Sequence, residues 1–352
     1  MKKLLLASAA IALTAGAASA QVTLSGDARF GVHYNSSLDA RDFDNNFRET
    51  TGDASKLRIE KRMRVNIDAR TETDTGIAFG GRIRILNEEY NHANGGGSST
   101  AAQARLYAQS GGLTIAVGNI LGALEVMPGS YAASVGMTGL SWAGLIINTD
   151  RAYGTNVRSD YFTWDGYSSG GSARGDGVEL IYAAGDFAFH LSHTSGDLDG
   201  STVNPTVPGS AKTESRTAAW ASYNWTGWTF ALGVQDGDFA DDRNDMIVFT
   251  AGGNIGDFGV GIGLARHGSG DNKVNKVALN GSYNFGATTV TGYVSYQDED
   301  DFTLAGGGLV DSKTAYGIGA SYNLGGGARL IGGIERTTRK NTRADFGVAF
   351  NF

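Results

Sequence analysis

The chain has 352 residues, a formal net charge of −7 and no cysteine. A length of this order would suit two soluble domains, but no change in composition divides the chain. Disulfide bonds are excluded as a source of stability, and the net negative charge gives no indication of a nucleic-acid partner.

The first twenty residues predict a secretory signal peptide. Lys2 and Lys3 precede an apolar run from Leu4 to Ala18, and Ala18-Ser19-Ala20 has the small-x-small form of a cleavage site. A membrane-anchor helix is the alternative, but the apolar run is short and ends in small residues. We therefore expect a signal peptide at 1–20 and one β-barrel domain at 21–352.

Strict alternation of side chains begins directly after this segment. In VTLSGDARFGVHY (22–34) the even positions are apolar or glycine, and the odd positions are mostly polar. The next stretch, RIEKRMRVNIDAR (58–70), has a charged or amide side chain at every even position and, except for Lys61, an apolar one at every odd position. A period of two predicts β-strands, because a helix would spread both sets around its axis.

The same unit of strand, tight turn, strand and longer loop recurs to the end of the chain. Tight turns are predicted near 72–75, 110–112, 185–186, 225–227, 256–257, 286–287 and 325–327. The loops between these hairpins are acidic or rich in glycine, as at 196–213 and 298–312. The pattern predicts sixteen strands, of which the last alternates from Asp345 to Phe352.

An even number of strands joined by alternating short turns and long loops is typical of a transmembrane β-barrel. Closure of the sheet would remove free strand edges, which hydrocarbon cannot satisfy with hydrogen bonds. A secreted β-sandwich or β-solenoid is the soluble alternative, but the sequence has no constant-period repeat. Aromatic residues at strand ends suit the girdles at the two membrane interfaces: Tyr34, Tyr223, Trp225, Trp228, Tyr283, Phe285, Tyr322 and Phe352.

Five stretches, in order along the whole mature chain, resemble the general diffusion porins of Gram-negative outer membranes, most closely those of the Rhodobacter type. They are LSGDARFGV (24–32), TDTGIAFG (73–80), FGATTVTGYV (285–294), YGIGASYNLGGGARLIGGI (316–334) and FGVAFNF (346–352). The resemblance implies a sixteen-stranded antiparallel barrel surrounded by outer-membrane lipid, a homotrimer, and a third loop folded into the pore.

The third loop departs from the family pattern. In that family it is rich in acidic residues that face a basic wall, whereas here the stretch from Asn119 to about Asp160 holds only Glu125, Asp150 and Asp160. It also contains an apolar run from Trp142 to Ile147. We expect Glu125 at the pore constriction, but little cation preference from this loop.

A hairpin centred near Thr73 would pair Arg62 with Arg84 and Arg64 with Arg82 on the lumen face. We expect one basic arc at the narrowest part of the pore, where a ring of fixed charge sorts ions. The alternative is that these arginines are only solvated and are balanced by neighbouring acids. The arc consists of Arg29, Arg62, Arg64, Arg82, Arg84 and Arg105. Lys61, on the opposite face, is expected near the outer rim or at a subunit contact.

No metal, cofactor or catalytic set is predicted. His190 and His193 are three apart and would lie on opposite faces of a strand, so the sequence predicts no shared metal for them. Acidic runs at 236–242 and 298–301 have the oxygen ligands that calcium prefers, although solvated loops explain them as well. No serine, histidine and acid suggest a triad by their positions in the sequence.

We therefore expect a passive outer-membrane channel for small hydrophilic solutes and ions. A substrate-selective porin is the alternative, with Trp142 to Ile147 as a sliding surface for solutes. Two more distant alternatives are an outer-membrane enzyme such as a phospholipase and a structural barrel with a plugged lumen. The terminal Phe352 resembles the signal read by the barrel-assembly machinery, with Phe350, Val348 and Phe346 on the same face.

Overall fold

The computed structural model describes residues 20–36, 42–43, 49–50, 56–88, 98–131, 135–138, 140, 144–147, 176–195, 215–237, 245–268, 273–298, 313–338 and 340–352. The predicted signal peptide therefore lies almost entirely outside the described residues. No helix in these ranges is long and apolar enough to span a membrane.

The described chain forms sixteen barrel strands, the fourth in two segments. They are β1 (Gln21–Asn35), β2 (Leu57–Glu72), β3 (Ala78–Glu88), β4 (Ser98–Ala101 and Arg105–Ser110), β5 (Leu113–Gly118), β6 (Asp176–Ala184), β7 (Phe187–Ser195), β8 (Arg216–Trp225), β9 (Trp228–Gly237), β10 (Met246–Ile255), β11 (Phe258–His267), β12 (Val274–Phe285), β13 (Thr288–Gln297), β14 (Thr314–Gly325), β15 (Ala328–Arg336) and β16 (Thr342–Asn351).

Each strand pairs antiparallel with its neighbours in sequence, and β1 pairs with both β2 and β16. The sheet is therefore closed, and the predicted sixteen-stranded antiparallel barrel is confirmed. Closure gives every strand two hydrogen-bonding partners, which a membrane interior requires.

The two faces of the strands divide as the alternation predicted. Large apolar side chains cover the outside, where Ile59 and Leu24 are 70% and 68% exposed. Aromatic rings meet near the tight turns, with centroids 4.5 Å apart for Phe187 and Tyr223. Such an outer surface suits lipid rather than water. Lys61 is exposed on this face, opposite Phe30 of β1, and interrupts the apolar set as expected.

Two-residue turns join most hairpins at one end of the barrel, and the long loops leave from the other. In the turn between β8 and β9, Thr226 and Gly227 have φ of 47° and 83°. Positive φ at both central residues gives the turn the twist of its flanking strands. By analogy with other barrels of this kind, the short turns mark the periplasmic end.

The predicted register between β2 and β3 is wrong. The turn is not tight at Thr73 but spans Thr73 to Ile77, and a hydrogen bond of 2.9 Å from Thr73 N to Ile77 O closes it. This longer turn shifts the pairing by four residues, so that Arg82 lies opposite Asp68 and Arg84 opposite Asn66. Because four is even, both arginines remain on the lumen face.

The chain end completes the barrel against β1. The backbone of Phe352 forms two hydrogen bonds with Gly26, of 2.8 and 3.0 Å, and its ring occupies the space where a Gly26 Cβ would lie. Registers place Phe346, Val348 and Phe350 on the outer face with it.

We expect deletion of Phe352 to lower the amount of folded barrel in the outer membrane several-fold while secretion continues. The deletion removes both the last pairing with β1 and the terminal ring proposed as the assembly signal. Folded barrel can be measured as the heat-modifiable band after membrane fractionation. Phe346→Ala, on the same face and 57% exposed, is the matched control. Normal levels of folded barrel after the deletion would contradict the proposal.

Candidate functional site: the lumen and its third loop

The third loop begins at Asn119, directly after β5, and lies inside the barrel. The amide of Ala123 donates to Ser192 Oγ on β7 at 2.8 Å, and Thr250 Oγ1 on β10 donates to the carbonyl of Pro128 at 2.6 Å. Side chains on the lumen face therefore guide the loop around the wall, and the predicted inward fold is confirmed for the described residues.

The tip of loop 3 is fixed on β16 by one carboxylate. Oδ2 of Asp345 accepts hydrogen bonds from Met137 N, Thr138 N and Thr138 Oγ1, at 2.8, 2.6 and 2.7 Å. From β1, Arg29 Nη1 donates to Met137 O at 2.8 Å, and His33 Nδ1 lies 2.8 Å from Thr138 Oγ1. Hydrogen bonds to a charged group are the stronger kind, so Asp345 is the main anchor of the tip.

Glycines in the wall let the tip approach closely. A Cβ at Gly319 on β14 or at Gly333 on β15 would overlap the Val135 carbonyl. Gly31 and Gly347 similarly leave room for Met137. Glycine inside a strand often marks the close approach of another backbone, and here that backbone is loop 3.

The returning part of loop 3 packs against β10, β11 and β12. Leu145, Ile146 and Ile147 are 5%, 2% and 0% exposed within one apolar cluster, and the Ile146 carbonyl lies 2.8 Å from His267 Nε2. The predicted sliding surface is therefore wrong for these three residues, because their side chains face the wall. Trp142 lies outside the described residues.

The start of loop 3 is tied to a buried carboxylate on β6. Glu179 has a side chain with 0% exposure, forms an ion pair with Arg105, and has one carboxylate oxygen 3.0 Å from His190 Nε2. The amide of Leu121 donates to the same carboxylate at 3.1 Å. Arg105 is thus held at the beginning of the loop.

The predicted arginines lie on β1 to β4, the part of the wall between the tip of loop 3 on β16 and its start after β5. Arg62 and Arg64 share one carboxylate: Arg62 Nη2 lies 2.8 Å from Asp27 Oδ2, and Arg64 Nε lies 2.6 Å from Asp27 Oδ1. Arg82 pairs with Asp68 at 2.5 Å, and Arg84 Nε donates to Asn66 Oδ1 at 3.0 Å.

Like charges still meet across two strand pairs, although not those predicted. Arg29 lies directly opposite Arg62, and Arg82 directly opposite Arg105. Such pairs are destabilising in isolation, by roughly 0.2–1 kcal/mol. Asp27, Asp68 and Glu179 offset this repulsion, so that the arc is basic but partly neutralised.

Glu125 lies apart from this wall. It is on the 3₁₀ turn Leu124–Val126 of loop 3, which packs against β8 and β9. Partial burial is the main cause that raises the pKa of the Tyr131 hydroxyl, and the negative charge of Glu125 raises it further. The predicted acid is therefore on loop 3, as expected, but its turn packs on β8 and β9 and not on β1 to β4, where the predicted arginines lie.

A sequence family of Gram-negative porins matches residues 7–342. The chain belongs to this family. The porins of Fuscovulum blasticum and Rhodobacter capsulatus are each 29% identical to it, over 94% of this chain and their full lengths. A triple mutant of the Rhodopseudomonas blastica porin has the same fold, with a TM-score of 0.71 at 24% identity, and another variant gives 0.69 at 26%. Both matches cover 94% of this chain and all of the other.

The protein is thus a porin of the bacterial outer membrane, and its lumen is a channel. The family resemblance seen in the sequence is confirmed. The apolar outer face is therefore the surface that meets outer-membrane lipid.

The structure separates the two neighbouring histidines of this porin as predicted. His190 faces the lumen and is fully buried, whereas His193 is exposed on the outer face. Among the described residues no group of three or more acidic or histidine side chains is arranged to hold a metal. The acidic runs for which calcium was the alternative to solvated loops lie mainly outside the described ranges, and Asp298 accepts two hydrogen bonds from Asn275.

Three residues that organise the lumen were not found from the sequence: Asp345, Glu179 and His190. Alternation alone places each of them on the lumen face, since each stands between apolar neighbours in a strand. The loop 3 partners of Asp345 and Glu179 are more than fifty residues away from them in sequence, and no local pattern predicts such contacts.

Proposed function

We propose that this porin is a passive diffusion channel for small hydrophilic solutes and ions, with its narrowest passage between loop 3 and the arginine wall. The observation that supports this most is the uneven burial of charged lumen residues. Lys276 on β12 is 2% exposed, on the strand that pairs with β11, where His267 contacts the Ile146 carbonyl of loop 3. Arg62, Arg64 and Arg82, in contrast, have side chains that are 23%, 29% and 38% exposed. The uncovered side of the lumen is therefore the basic one.

The charge on this passage supports a weak preference for anions. Arg62 and Arg64 share the single carboxylate of Asp27, so this pairing leaves an excess of positive charge on the exposed part of the arc. A narrow aqueous passage between low-dielectric walls focuses the field of such charges. The preference is expected to be smaller than for an unpaired arc, because Asp27 neutralises part of the charge of Arg62 and Arg64.

We also propose that the channel has no catalytic activity or cofactor and forms a homotrimer. The porin family and fold point to a channel rather than an enzyme. Lys61 supports a subunit contact, because a lysine among apolar neighbours is unfavourable against hydrocarbon but acceptable between proteins. A substrate-selective pore is less well supported, since Leu145, Ile146 and Ile147 do not face the passage.

Single-channel recording in planar bilayers tests the proposed function. We expect discrete openings with a current proportional to voltage and a conductance that rises in proportion to potassium chloride concentration. Conductance that saturates at low salt would favour a selective pore with an ion-binding site. Absence of channels from correctly folded protein would contradict the proposal and favour a plugged barrel. Chemical crosslinking of the same sample, with Lys61→Glu as the variant, tests the trimer.

A further inference from the structure

The lumen wall contains a hollow of about 360 Å³ on the side away from the arginines. It is formed by β9 to β12 and by Gly129 of loop 3, and all of its lining residues are neutral. Thr250 holds the Pro128 carbonyl just beyond it. The hollow therefore lies below loop 3, toward the tight turn at 256–257, where it is open to the periplasmic half of the lumen.

The floor and the rim of the hollow differ in chemistry. Registers place Gly252 opposite Gly261, and Gly261 opposite Asn280, on one cross-strand row of the lumen face. Thr229 and Asn280 lie at the two ends of this row, and Asn254 and Ser282 lie at the two ends of the adjacent row. Amides and hydroxyls both donate and accept hydrogen bonds, which is the chemistry that sugar and polyol hydroxyls require.

Among the described residues, no atom of loop 3 lies within 4 Å of a Cβ at Gly252, whereas wall side chains cover the two neighbouring glycines: a Cβ at Gly261 would meet Asn280 at 2.8 Å, and one at Gly259 would meet Ser282 at 2.5 Å. Other lumen glycines are explained by loop 3, because a Cβ at Gly233 would meet Met127 and one at Gly263 would meet Ile146. At Gly252 the nearest atom to such a Cβ is the Val260 carbonyl, at 3.4 Å, and no bulge interrupts the pairing of β10 with β11. A glycine within a regular strand often marks the close approach of another group, and Gly252 is the floor position where that group is not a side chain of the wall.

We propose that this hollow binds a neutral polyhydroxylated solute of monosaccharide size on its way through the pore. Its volume is within the range of small-molecule pockets, roughly 300–1,000 Å³. The absence of charge among its lining residues favours a neutral solute over an ion. The pore would then have two sides: a basic wall that acts on ions and an amide-lined wall that retains neutral solutes. This inference rests on the proposed diffusion function.

Glucose is the probe for the test, added to the full-length porin in planar bilayers at fixed salt concentration. We expect the ion current to fall along a saturating curve as glucose concentration rises. In Gly252→Leu the half-saturating concentration should rise about tenfold or more, because the leucine side chain fills the hollow. Asn280→Ala should raise it several-fold, since it removes one amide but leaves the volume open.

Gly281→Leu is the matched control. Gly281 lies on the other face of β12, where a Cβ would be no closer than 3.7 Å to another atom, and its replacement should leave the glucose curve unchanged. A current that falls only linearly in the wild type, as viscosity alone would cause, would overturn the proposal. So would unchanged half-saturation in both Gly252→Leu and Asn280→Ala. A protein that conducts no ions without glucose would instead refute the diffusion function itself.

Discussion

Replacing Asp345 with alanine will turn a steady open channel into one that fluctuates and closes frequently. Three hydrogen bonds from Met137 and Thr138 end on one oxygen of this carboxylate. Each bond to a charged group contributes about 1.5–3 kcal/mol, part of which lumen water would restore. A net loss of even about 1.4 kcal/mol would raise the population of the released tip about tenfold. Single-channel open times and current noise are the measurements.

Asp345→Asn should have an intermediate effect, because the amide keeps one oxygen that can accept from the loop. Asp68→Ala is the control for charge, since it also removes a lumen carboxylate but one that pairs with Arg82 on the barrel wall. It should shift ion preference and leave open times unchanged. If Asp345→Ala has the same open times and current noise as the wild type, the contacts of Arg29 and His33 are sufficient to hold the tip.

Replacing Arg62 and Arg64 together with glutamine will shift the reversal potential in a salt gradient toward cations. The change removes two positive charges and also leaves Asp27 without the two partners seen here. One unit charge acts on an ion about 4 Å away with about 1 kcal/mol in water. We therefore expect the anion-to-cation permeability ratio to fall about fivefold. The shift should shrink at 1 M salt, where the screening length is about 3 Å.

Two further variants test whether this shift comes from Arg62 and Arg64: one should have the opposite effect, and the other is a control. Asp27→Asn should move the reversal potential toward anions, because both arginines then act without their shared carboxylate. Arg70→Gln is the matched control: Arg70 also pairs with an acid, Glu72, but the two side chains are 51% and 57% exposed. An equal shift from Arg70→Gln and from the double variant would show that the narrow passage is elsewhere. Arg48, in the first long loop, lies outside the described residues.

The pairing of β2 with β3 was predicted correctly from the sequence, but the register of that pairing was not. Alternation placed Arg62, Arg64, Arg82 and Arg84 on one face, because a period of two needs only the strand itself. Their partners depended on the length of one turn. The hydrogen bond from Thr73 to Ile77 moved the register by four residues and replaced two predicted arginine pairs with contacts to Asp68 and Asn66. Register follows turn geometry, which composition did not specify.

The sequence by itself determined the barrel, its sixteen strands, its lipid-facing surface and the family to which the chain belongs. Each of these follows from local patterns, since alternation, turn glycines and family motifs are read over stretches of about ten residues. Only the tertiary structure decided what the lumen residues do. Asp345 anchors Thr138, Glu179 holds Arg105, and Ile146 faces the wall rather than the pore. These contacts join residues far apart in sequence, and closing the barrel around loop 3 is what brings them together.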